Sequence, residues 1–188
     1  MAIEYFGNQT YFGDTNPSSV MLFTNWDTYL NWTCPGSGNM TVKEISVYCK
    51  YYAAQGNILL AIYSADRATL ICQGTAEVAI TSGMSAYDWR GHLTQANITP
   101  NPVTLTGGTN YCIVFSMDTA NALTIGYSAT TNGALNQVVD KTAGYSGALP
   151  ADWSAGNNVY ELRCGVEGAA PSGPSIPILM SAYRRRVL

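Results

Sequence analysis

MTVKEISVYCKYYAAQGNILLAIYS, residues 40–64, is the stretch whose reading decides the fold. From Ile45 to Tyr51 every second residue is apolar, so Ile45, Val47, Cys49 and Tyr51 share one face, the period of a β-strand and not of a helix. A Gly56-Asn57 turn signal follows, and then GNILLAIYS, apolar on both faces as a central strand is. Working outward, Ser64-Ala65-Asp66-Arg67 reads as a turn into TLICQGTAEVAI, and residues 87–98 carry Trp89, Leu93 and Ile98. Leu105-Thr106-Gly107-Gly108 is a turn before TNYCIVFSM. ALTIGYS and NNVYELRCGV complete the set, with Tyr160, Leu162, Cys164 and Val166 to one side. About eight strands of period two, with no sustained helical period, predict two packed antiparallel sheets.

The remaining segments read differently. Residues 5–35 are irregular and aromatic, with a first strand expected between Val20 and Trp32. Residues 130–156 are rich in Gly, Ala, Asn and Ser, the composition of a long loop. After Gly168 the pattern changes to PSGPSIPILMSAYRRRVL. Pro171, Pro174 and Pro177 are three apart, the repeat of polyproline II, so this segment is expected to be extended and stiff. It would hold Ile178, Leu179, Met180, Tyr183, Arg184, Arg185 and Arg186 away from the body as a partner-binding arm. Six of the nine Lys and Arg and all twelve Asp and Glu precede residue 169, so the body carries −6 and the arm +3. The domain plan is therefore a β-sandwich over 1–168, clearest over 40–167, and an arm over 169–188.

Composition bounds the function classes. Charged residues are 11% of the chain, against about 25% in average proteins. With 47% hydrophobic residues this is not a disordered composition. It is that of an all-β domain with a neutral, hydroxyl-rich surface, suited to flat contacts with copies or glycans. A net charge of −3 argues against a nucleic-acid-binding body, and three arginines are few for phosphate contacts. No apolar run approaches the ~18 residues of a membrane span. Read as a native start, MAIEYFGNQT lacks a basic, apolar leader and predicts synthesis in the cytoplasm. Cys34, Cys49, Cys72, Cys112 and Cys164 are odd in number, so at least one stays free or pairs between chains; they form no CxxC pair, and most are expected to be reduced core residues.

Between residues 40 and 167 the chain resembles a family of β-sandwich modules, jelly-roll domains of phage virion proteins and of bacterial surface or carbohydrate-associated proteins. The resemblance is carried by Gly56, Asn57, Ala61, Ile62, Tyr63 and Ser64 in one strand, and by Leu105, Gly108, Thr109, Tyr111, Ile113 and Phe115 in another. GALPADWS at 147–154 adds to it. The chain departs from the pattern at Cys112, where the family often has Trp. The resemblance implies a jelly-roll sandwich and no shared catalytic set, because one sandwich hosts many roles.

Candidate chemistry is sparse. His92 is the single histidine and is expected at a strand end or on the surface. Asp88, four residues away, would lie about 13 Å from it along a strand, and no GxSxG elbow supplies a nucleophile. Glu44, Glu77, Asp88, Glu161 and Glu167 have no supporting glycosidase motif and read as solubilising charges. Asp14-Thr15-Asn16, Asp118 and Asp140 are the loop acids nearest to a calcium pattern, but no such loop motif is complete, so neither metal nor other cofactor is assigned. Four Asn-x-Ser/Thr triplets are close to chance, and no glycosylation is assigned. Trp26, Trp32, Trp89, Tyr145 and Trp153 fall in or near expected loops and edges and are candidates for a glycan-stacking platform. The same residue types also fill cores and oligomer interfaces. The expectation is a non-enzymatic structural virion protein of a phage, a capsid decoration, cement or fibre-like subunit. Its partners would be copies of itself or other virion subunits, and the alternative is a carbohydrate-binding module.

Overall fold

The structure is a computed structural model that describes residues 2–7, 19–20, 26–119, 122–125, 127–129, 135–138, 144–149, 154–155 and 158–168. Only the backbone is described for 19–20, 26–31, 127–129, 135–138, 154–155 and 158–160. The strands are β1 Glu4–Gly7, β2 Ser19–Val20, β3 Trp26–Thr33, β4 Asn39–Tyr51, β5 Gly56–Ser64 and β6 Leu70–Gly74. Next come β7 Val78–Ile80, β8 Asp88–His92, β9 Ile98–Thr99, β10 Thr104–Thr106 and β11 Asn110–Met117. The last are β12 Leu123–Ile125, β13 Tyr127–Ala129, β14 Leu135–Val138, β15 Ser154–Ala155, β16 Asn158–Tyr160 and β17 Leu162–Gly168. One 3-10 turn, Gln95–Asn97, interrupts them.

These strands form two antiparallel sheets, the all-β sandwich that the alternation predicts, with a small β13–β16 ribbon beside them. The first sheet is organised by β4, whose thirteen residues pair with β17 and β12 along one edge and with β10 and β8 along the other. β1 adds to β17, and β2 to β12. The second sheet runs β15-β14-β3-β11-β5-β6-β9, with β7 also on β5. Ile45, Val47 and Cys49 of β4 meet Ile58, Leu60 and Ile62 of β5 and Ile113 and Phe115 of β11 in the core between the sheets. Leu162, Cys164 and Val166 of β17 join them.

β5 is apolar on both faces because both are covered. Its outward residues Leu59, Ala61 and Tyr63, with Cys112 and Val114 of β11, pack beneath Tyr145 and Leu149. That strap over residues 144–149 is tied down by the Tyr145 N–H donating to Gln73 Oε1 (2.7 Å) and the Leu149 N–H donating to Arg67 O (3.0 Å). Three details differ from the expectation, the first being that residues 130–156, read as a long loop, contribute β14 and β15 to the second sheet. β1 extends the first sheet from a region read as irregular. The run over 69–80 is two strands, because Thr75-Ala76-Glu77 turn the chain from β6 to β7.

Candidate functional site

The face of β4 turned away from the core carries Glu44, Ser46, Tyr48 and Lys50. Cross-strand register sets Tyr48 opposite Trp89 of β8, and Ser46 opposite both Gly91 of β8 and Arg163 of β17. On the far side of Arg163 stands Gly7 of β1. The Arg163 row is therefore otherwise made of small residues, which leaves room for a long side chain to lie across the sheet. Gly91 is required there on backbone grounds too. Its φ is 143°, and a Cβ would press on the Ile45 carbonyl oxygen.

The Arg163 guanidinium carbon lies 4.2 Å from the Tyr5 ring centre and 4.0 Å from that of Trp89. Its Nη2 is 2.8 Å from Glu44 Oε1. Its Nε donates to the same oxygen at 3.0 Å and to Ser46 Oγ at 3.2 Å. The Tyr5 hydroxyl donates to Glu44 Oε2 at 3.4 Å. Trp89 continues the row to Tyr48 (5.4 Å, tilted 48°), and Tyr48 stacks on Tyr87 (5.4 Å, 18°). Lys50 Nζ ends it, 4.7 Å from the Tyr87 ring centre. An unbroken row of aromatic and cationic side chains thus crosses four strands. Burial raises the Tyr87 hydroxyl pKa; burial and then the Glu44 carboxylate raise that of Tyr5, so both phenols stay neutral at physiological pH.

Of the five aromatic residues singled out in the sequence, Trp89 alone is placed in this row. Tyr145 is not a platform residue. It is 3% exposed and packs edge-on against Tyr63 at 5.9 Å, because the 144–149 strap inserts it over β5. Trp32 packs against the inter-sheet core, and its indole N–H has no acceptor among the described residues. Trp26 opens β3, where only the backbone is described, and Trp153 lies outside the described residues. The arm residues Pro171, Pro174, Pro177, Ile178, Leu179, Met180, Tyr183, Arg184, Arg185 and Arg186 also lie outside them. So do Asp14, Thr15, Asn16 and Asp140.

His92, Asp88, Glu44 and Glu167, considered for catalysis, have structural partners. His92 ends β8 but is buried, not on the surface, and its Nε2 accepts the Leu60 N–H of the opposite sheet at 3.3 Å. Burial lowers its pKa to about 4. Asp88 Oδ1 accepts the Trp89 backbone N–H, and Glu167 pairs with Lys43 at 3.0 Å. Glu44 and Glu161 are buried, which departs from the solubilising role expected of them. Asp118 accepts from both the backbone N–H and the side-chain amide of Asn57 (2.6 and 2.7 Å), fastening the start of β5 to the end of β11. All five cysteines are free and buried, where the sequence led us to expect most of them to be. Burial pushes the Cys34 thiol up to about 11, those of Cys49, Cys72 and Cys112 to about 12, and that of Cys164 well upward. Buried thiols held protonated are poor nucleophiles.

No family model matches the chain, and no curated protein matches it. Sequence reasoning passed over Tyr5, Glu44, Tyr48, Lys50, Tyr87 and Arg163 as members of a shared face. The signal for three of them was present: the alternation that puts Ile45, Val47 and Cys49 inward puts Glu44, Tyr48 and Lys50 outward together. Tyr5, Tyr87 and Arg163 join only through strand register.

Proposed function

We propose that this chain is a non-enzymatic structural virion protein of a phage, a capsid decoration, cement or fibre-like subunit, whose 169–188 arm anchors it to neighbouring subunits. The observation that supports this best is the pairing of β17. It pairs with β1 along one edge over Arg163–Val166 and with β4 along the other as far as Gly168. The sheet therefore has both neighbours of its last strand before the arm begins, and the arm is not called on to complete it. Charge adds to this, because an arm of +3 meets bodies of −6. Burying Ile178, Leu179, Met180 and Tyr183 on a neighbour would contribute a few kcal/mol, at about 1.5–3 per fully buried large side chain. The arginines would orient the contact by bidentate pairing with carboxylates. The test is mass by light scattering after size exclusion, at low and high salt, for the full chain and for a version ending at Ala170. Assembly by the full chain alone, weakened by salt, is the expected result. Normal assembly by the shortened version would sink this reading.

A second reading, glycan binding by the body, is favoured by the row through Trp89. Half-buried rings on a sheet face offer the surface on which a pyranose stacks its C–H groups. Retention on a panel of immobilised glycans, unchanged by removal of the arm, is the expected outcome. Failure to bind any glycan on the panel would end it.

A further inference from the structure

We draw no further inference here: the strongest candidate, the acidic pair of Glu77 and Asp118 at the rim of the second sheet where β7, β5 and β11 lie side by side, carries nothing, because Asp118 is already held by Asn57 and Thr119 and nothing else among the described residues points to a ligand there.

Discussion

His92 lies across the backbone of Gly74, so close that a Cβ at that position would overlap its ring. Gly74 is buried, and the ring is wedged between the sheets with no room to retreat. Gly74→Ala should therefore destabilise the body by about 1–3 kcal/mol, the cost of overpacking a filled core, measured by urea unfolding. The same histidine makes stability depend on pH in a defined window. Its folded pKa, about 4, is below its ordinary 6.5, so the unfolded chain takes up a proton first. Stability from the neutral ring is full above pH 6.5 and is lost as pH falls through about 4, to a limit of about 3 kcal/mol. His92→Gln keeps an acceptor for the Leu60 N–H and removes this titration. Unfolding free energies of the two proteins should then diverge less at pH 4 than at pH 7, and parallel curves would show that His92 is not the titrating group. From the sequence His92 is expected at a strand end or on the surface, and the structure buries it at the end of β8. Its burial depends on which face of β8 meets β5, and that is a property of the sheet pairing.

Among the elements, one ion pair joins β17 to β4 on their outer face, and its Arg163 also packs on the rings of Tyr5 of β1 and Trp89 of β8. Arg163 and Glu44 each expose 11% of the side chain, so removing one partner leaves a nearly buried charge. Arg163→Met should cost about 3–5 kcal/mol, and adding Glu44→Gln should recover most of it, because breaking a buried pair is worse than replacing it. A double-mutant cycle read by denaturant midpoint checks this, and additive single effects would show that the pair is not coupled. The strands themselves were largely legible. Alternation located β4, the doubly apolar run located β5, and the turn glycines located β11. β1 was not, since EYFG is too short to show a period and becomes a strand only by pairing with β17. The aromatic row was half legible for the same reason. A strand displays its own two faces in sequence, but not which strand will lie beside it.

At the scale of the whole molecule, β17 runs to Gly168, the last described residue, and the composition changes after it. A version ending at Ala170 should keep the thermal transition of the full chain at concentrations where neither assembles, since no described core residue lies beyond Val166. Calorimetry would check this, and a fall of many degrees would make the arm part of the body. The central place of β4 has a consequence for how the chain is made. β4 pairs directly with strands starting at Asp88, Thr104, Leu123 and Leu162. A ribosome therefore releases this strand long before its partner β17, some seconds earlier at about 5–20 residues per second. Throughout that interval Ile45, Val47 and Cys49 stand on an edge open to any other chain. Loop closure over such separations is slow, and unpaired edges recruit neighbours. Nascent chains crowded on one messenger would meet edge to edge before they fold, so yield in the cell should depend on translation speed and holding chaperones more than on the stability of the finished sandwich.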